Sequence, residues 1–197
     1  EKYRCIAIIM ADGSVGQMME PAELPEMRPL RRMGQDWAVT GAAGRKHRIL
    51  TSIYIDPPQE EVFNLKLKNR WFTIEENEIR YREYYLDDAE FAIIGFGTAG
   101  RVALSAVRAA RAEGIKVGLL RPISLSPYPY AVIDELSKRM QGMLVVEMNT
   151  GQMVRDVQLA AKGRLPIEFY GRCGGMVTFP EDVLAEIHHL VHGPKII

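Results

Sequence analysis

From Phe91 to Pro122 the chain reads FAIIGFGTAGRVALSAVRAARAEGIKVGLLRP, and its apolar positions change period twice. Phe91–Gly95 is an unbroken apolar run of strand length. Beyond it Ala99, Val102, Ala103, Ala106, Val107 and Ala110 recur at helical spacing, with Arg101, Arg108 and Arg111 on the opposite face. Gly114 stops that helix, and Lys116–Arg121 forms a second strand. The same alternation continues through strands at Gly142–Met148 and Pro166–Tyr170, each followed by a helix. The second helix opens at Ser126-Pro127 or Pro129 and presents Val132, Ile133, Leu136 and Met140 inward. The third starts beyond Asn149-Thr150-Gly151, with Val154, Val157 and Ala161 inward. A capping-box pattern, Thr178-x-x-Glu181, introduces the last, ahead of Val183, Leu184, Ile187 and Val191. Regular β–α alternation with right-handed crossovers predicts an α/β domain over 87–197: three layers, α/β/α, around a mostly parallel sheet.

The first 86 residues pattern differently. Cys5–Met10 is a short apolar run that reads as a strand, followed by a turn at 11–16. Three prolines between Pro21 and Pro29 exclude a helix interior. One strand with a proline-rich tail cannot bury itself, so residues 1–45 are expected to be the tail of a partial domain. Residues 46–86 read as a connector. Ile49, Ile53 and Ile55 surround an extended piece that Pro57-Pro58 ends. Leu65, Phe72 and Ile79 then recur seven apart in a charged stretch, with Val62 and Leu86 adding to one face. That predicts a long amphipathic helix or a pair, packed on its own domain or on a neighbouring surface.

Composition narrows the function classes. At 197 residues there is room for one domain with a sizeable core, or one plus part of another. Lys+Arg and Asp+Glu balance at 25 each, which gives no electrostatic footprint for nucleic acid or an anionic membrane. No apolar run reaches membrane-spanning length. Cys5 and Cys173, far apart, fit a reducing cytoplasm and cannot hold an iron–sulfur cluster or a Cys-based zinc site by themselves. The chain enters an apolar run almost at once after Glu1, with no room for a signal peptide, and is expected to be cut from something longer.

Four features are candidates for chemistry. Gly95-x-Gly97-x-x-Gly100 lies after a strand and opens a helix, where a helix N-terminus can hold a pyrophosphate. An NAD site wants an acidic residue at the end of the next strand; here that strand ends in Arg121, which suits a 2′-phosphate better. The reading we favour is that these glycines serve a tight turn and close helix–sheet packing. Gly171, Arg172, Gly174 and Gly175 form a second glycine-rich turn able to cradle an anion, or simply a loop needing positive φ. Cys173 within it has no sequence-neighbouring His and is read as a packed thiol. Glu147 and Asn149, at the end of the third strand, could serve acid–base chemistry but more commonly cap the next helix. His188 and His192 are an i, i+4 pair without a nearby third ligand in sequence; with His189 they are read as surface residues complementing the helix dipole.

The runs GFGTAGRVALSAVRAARAEGIKVGLLRPISLSPYP, LVVEMNTGQMVRDVQLA and GRCGGMVTFPEDVL, with the opening IIMADGSVGQMMEPAELPE, resemble thiamine-diphosphate-dependent 2-oxoacid:ferredoxin oxidoreductases. More narrowly, they are similar to the C-terminal half of the α-type subunit of the 2-ketoisovalerate or 2-oxoglutarate enzymes. The resemblance implies a transketolase C-terminal-like domain at 87–197, preceded by the end of a pyrimidine-binding domain. It implies an enzyme that decarboxylates a 2-oxoacid oxidatively to an acyl-CoA and reduces ferredoxin, using thiamine diphosphate, Mg²⁺, iron–sulfur clusters and CoA. It also implies oligomeric assembly with the other subunits. The glutamate that activates the aminopyrimidine would lie upstream of Glu1, and the diphosphate–Mg²⁺ motif elsewhere. Cys173 stands where the family's turn often holds proline.

The expectation is therefore a segment that docks and assembles, with no catalytic residue and no metal of its own. Arg172 and its glycines are the candidate anion or CoA contact. Two other readings remain open: a stand-alone NADP-binding domain using Gly95, Gly97, Gly100 and Arg121, and a non-enzymatic interaction module.

Overall fold

The computed structural model describes residues 2–27 and 38–193. They group into two compact units: residues up to Ile9 with Met19–Ile74, and Met10–Met18 with the chain from Glu75 on. Helix α2 (Pro57–Glu78) starts in the first unit at the proline pair, where the Tyr54 ring stacks on Phe63 at 4.7 Å. Ile6, Ile8 and Ile9 are exposed, and Cys5–Met10 forms no strand among the described residues, because no neighbouring strand supplies a ladder. Of the proline-rich stretch, Arg28 and Pro29 lie outside the described residues.

The second unit holds helix α1 (Gly13–Gln17) and a five-stranded sheet. In chain order its elements are β1 (Tyr81–Tyr84), β2 (Phe91–Gly95), α3 (Gly97–Ala112), β3 (Val117–Pro122), α4 (Tyr130–Ser137), β4 (Gly142–Glu147), α5 (Met153–Ala161), β5 (Ile167–Gly171) and α6 (Pro180–His192). The strand order is β1-β3-β2-β4-β5, with β1 antiparallel and the other four parallel. Every residue of β2 and β4 is buried, as expected of central parallel strands covered on both faces. Period-two alternation divides them between two cores. Ala92, Ile94, Leu120 and Val145 pack with Ile133, Leu136 and Val157 from α4 and α5. Ile93, Leu119, Leu144 and Val146 pack with Ala103, Val107, Val183 and Ile187 from α3 and α6. The α/β/α layering follows from these two faces.

Two local differences from the sequence reading have physical reasons. The stretch 60–86 is not one helical face: α2 ends at Glu78, β1 adds an antiparallel edge, and Leu86 enters the core beneath α4. The Arg80 carbonyl accepts from the Ile123 and Ser124 amides, and its N–H donates to Ser124 Oγ. Partners 44 residues away, invisible to local periodicity, decide the conformation. Leu65 and Phe72, from the seven-residue repeat, are exposed. The last helix starts at Pro180, one residue later than the Thr178 pattern implied: Asp182 accepts from the Phe179 amide at 3.2 Å. A proline in the first helical position lacks only a donor that would be orphaned anyway.

Candidate functional site

The strand order reverses between β2 and β4, so the crevice that open α/β sheets use for ligands lies at the carboxyl ends of these two strands. The first wall is the glycine turn. Gly97 has φ +54°, the left-handed conformation glycine tolerates best. A Cβ on Gly100 would sit 2.5 Å from the Gly95 carbonyl oxygen and 3.2 Å from Arg121 Cγ. Gly95 and Gly100 thus bring α3 onto the sheet more closely than any side chain would permit.

The N-terminus of α3 already faces an anion. Asp12, the N-cap of α1, accepts the Val15 amide at 2.8 Å and brings its other carboxylate oxygen within 3.6 Å of the position a Gly97 Cβ would take. Partial burial pushes this carboxyl up, but the Val15 amide and the neighbouring Thr98 outweigh it, and the group lies below the ordinary carboxylate value. A dinucleotide pyrophosphate would occupy the same helix end. Arg121 lays its stem over Gly100 and, with Arg82 dominant, lowers the Tyr84 phenol from its ordinary value.

The second wall is Glu147, fully buried at the end of β4. Its Oε1 accepts the Val154 amide at 2.9 Å; its Oε2 accepts the Met153 amide and Asn149 Nδ2, each at 2.9 Å. Asn149 Oδ1 in turn accepts the Gly151 and Gln152 amides at 2.7 and 3.2 Å. This pair caps α5, so the orphan amides of its first turn are satisfied from within the chain.

Between the walls lies a crevice of about 120 Å³, bordered by Phe96, Tyr128, Glu147, Asn149, Gln152 and Asp156. Tyr128 is buried, and its hydroxyl has no hydrogen-bond partner among the described residues. Burial above all, then the Asp156 and Glu147 carboxylates, push this phenol well up. Tyr130 donates its hydroxyl to Asp156 Oδ1, which raises the Tyr130 phenol to about 12. A larger hollow of about 370 Å³, mostly apolar, lies around Tyr130, Asp134, Leu159 and Lys162.

The turn after β5 is built differently. The Arg172 amide continues the β4–β5 ladder by donating to the Glu147 carbonyl at 3.2 Å. Gly174 and Gly175, with φ +66° and +86°, are exposed, as is the free Cys173, so that thiol is not packed. On α6 the histidines separate: His188 meets Glu113 at 3.0 Å and stacks with His192, while His189 Nδ1 lies 3.2 Å from Glu168. Glu168, Glu186 and His189 place ligand atoms within 4.8 Å of one another, so the carboxylates the sequence did not pair with a histidine come from β5 and α6. Asp12, Tyr128 and Asp156 were not singled out by sequence. Asp12-Gly13-Ser14 carries an N-cap signal; the other two carry none.

Residues 89–183 match the family model for pyruvate:ferredoxin oxidoreductase core domain II. Beyond that segment the similarity extends almost end to end. The chain is 42% identical over 190 residues to the ketoisovalerate oxidoreductase subunit VorB of Methanothermobacter marburgensis, covering 96% of this chain and 54% of that one. It is 26% identical over 213 residues to the 2-oxoglutarate synthase subunit KorA of the same organism, covering 95% and 57%. The chain thus spans about half the length of the curated relatives it matches. In fold it is similar to a solved 2-oxoglutarate:ferredoxin oxidoreductase from Magnetococcus marinus, determined with 2-oxoglutarate, coenzyme A and succinyl-CoA bound. That match has a TM-score of 0.68 and 24% identity, and covers 79% of this chain and 28% of the other. No helix among the described residues is long and apolar enough to cross a membrane.

Proposed function

We propose that the chain is part of a 2-oxoacid:ferredoxin oxidoreductase subunit, and that domain II serves assembly rather than bond-making. The 42% identity to a ketoisovalerate oxidoreductase subunit across 190 residues carries this reading. The complete enzyme would decarboxylate a branched 2-oxoacid oxidatively, form an acyl-CoA and reduce ferredoxin in the cytoplasm, together with its other subunits. Residues 1–45 are the end of a preceding domain in this reading, 46–86 a connector and 87–197 the docking domain.

The cofactors of such an enzyme find no fit in these residues. Two cysteines cannot ligate an iron–sulfur cluster. The buried carboxylate Glu147 is engaged by three donors within its own chain and is not aimed at an aminopyrimidine ring. At the Gly171–Gly175 turn one amide is committed to the sheet and Arg172 is the single cation, which is sparse for the phosphates of CoA. The NADP reading is disfavoured by charge, since a pyrophosphate at α3 would meet the Asp12 carboxylate.

The test is activity of the complete enzyme containing this chain, measured as 3-methyl-2-oxobutanoate- and CoA-dependent ferredoxin reduction. Turnover that survives Arg172→Ala and Arg121→Ala with unchanged KM supports an assembly role. An enzyme that reduces ferredoxin with no 2-oxoacid contradicts the proposal, and so does one that loses kcat on either substitution while remaining assembled.

A further inference from the structure

Away from the crevice, the chain gathers metal-binding donors at the other end of the sheet, beside its edge strand. Glu168 is the second residue of β5, and Glu186 and His189 stand at i, i+3 on one face of α6. The end of α6 lies over the start of β4, where a Cβ on Gly142 would come 3.0 Å from Leu190 Cδ1. There, at the amino ends of the strands, the two carboxylates and the His189 ring each bring one ligand atom within 4.8 Å of the others.

Pairing within the chain does not account for this convergence. His189 Nδ1 lies 3.2 Å from Glu168 Oε2. No lysine or arginine forms a salt bridge with Glu168 or Glu186 among the described residues, although Glu186 is half-buried. Tyr170, the next inward position on β5, feels the uncompensated charge: burial first, then the Asp182 and Glu186 carboxylates against Arg172, raise its phenol. Like charges this close repel, and a divalent cation between them turns repulsion into attraction. From this juxtaposition we propose that Glu168, Glu186 and His189 bind Zn²⁺.

The donor set selects the metal. Mg²⁺ and Ca²⁺ take oxygen ligands, whereas an imidazole joined to carboxylates suits Zn²⁺. Its bonds to nitrogen and carboxylate oxygen are about 2.0–2.2 Å, so two donors on one tetrahedral ion lie roughly 3.3–3.5 Å apart. Glu168 and His189 already stand at nearly that separation. Glu186 closes the remaining gap by a change of rotamer. His189 is exposed, which gives the ion an entry path and leaves the fourth position to water. The ion would join α6 to β5, the outer strand paired on one side only, at the opposite edge of the sheet from the crevice. Two other features compete for Zn²⁺: the stacked His188 and His192, and the free thiols Cys5 and Cys173.

The experiment is a Zn²⁺ titration of the 197-residue chain, followed by calorimetry and by NMR of its four histidine rings. One saturable site is expected, which shifts the His189 ring and survives a large excess of Mg²⁺. Glu186→Gln and His189→Gln should each weaken it about tenfold or more, since even outer-shell partners of a metal are worth that much. His192→Gln and the Cys5→Ser, Cys173→Ser double variant should bind as the wild type does. Thermal unfolding gives a second reading. Zn²⁺ should raise the wild-type midpoint by mass action and leave that of Glu186→Gln unmoved. Without Zn²⁺ that variant should unfold no lower than the wild type, because the repulsion is relieved. Absence of a saturable site overturns the proposal. So does displacement by Mg²⁺, binding unchanged in Glu186→Gln and His189→Gln, or binding lost in His192→Gln or the cysteine double variant.

Discussion

Gly100 lies so close to Gly95 that a Cβ on Gly100 would sit 2.5 Å from the Gly95 carbonyl oxygen. Two backbones meet there, and neither is the end of a flexible side chain that can swing away. Gly100→Ala should therefore destabilise the chain by about 1–3 kcal/mol, the usual range for overpacking a well-packed site. Gly97→Ala acts through a different term, because φ +54° strains any residue with a Cβ. Urea denaturation of the two variants checks both, with Gly114→Ala, in open space at φ +87°, as the strain-only reference.

Asp12 supports two helix ends at once, so its removal should show at both. Asp12→Asn keeps a good cap for α1 and loses the charge facing α3, an effect of about 0.3–1 kcal/mol. Asp12→Ala loses the cap as well and should cost about 0.5–2 kcal/mol. The sign with pH follows from the lowered folded value. The contribution is complete above the ordinary value of 3.8 and is lost as pH falls through the folded value. Hydrogen exchange at Val15 and Thr98, measured at neutral pH and near pH 3, reads the change, and added salt should shrink it.

Glu147→Gln changes one acceptor oxygen into a donor inside a ring of donors. The Met153 and Val154 amides and Asn149 Nδ2 already point at this side chain. At least one of them must then go unpaired in a buried place, at a cost of about 1–3 kcal/mol. Thermal unfolding tests this: a midpoint equal to the wild type would mean the cap is dispensable.

Asp134 gathers Lys162 at 2.9 Å, Arg164 at 2.7 Å and Lys138 at 3.4 Å. The first two dominate in holding its carboxyl well below the usual range. The cluster joins α4 to the turn after α5. Its contribution is present above the ordinary value of 3.8 and disappears as pH falls below the carboxylate range. Asp134→Asn should lower the unfolding midpoint in dilute buffer and show a smaller loss in molar salt, since its partners Lys162 and Lys138 are exposed.

Where neighbours in sequence are also partners in space, the fold was legible. The 3.6-residue spacing of Ala99, Ala103, Ala106 and Ala110 predicted a buried face, and all four line one core. Glu147 and Asn149 read as a cap because their partners lie two to seven residues on. β1 was missed because Tyr81–Tyr84 gains its conformation from β3, some forty residues later. Asp12 escaped notice for the same reason: its second partner, the start of α3, is more than eighty residues away. Tyr128 has no sequence signal at all, since an unpaired hydroxyl is a property of what surrounds it.

A tethered group competes with free ones through its effective concentration. The Asp12 carboxylate is held against the start of α3 by its own chain, with its second oxygen near Gly97. Any dissolved phosphate would have to outcompete that local supply before it could bind. A nucleotide phosphate arriving at this glycine turn would have to displace a carboxylate that the fold itself holds there.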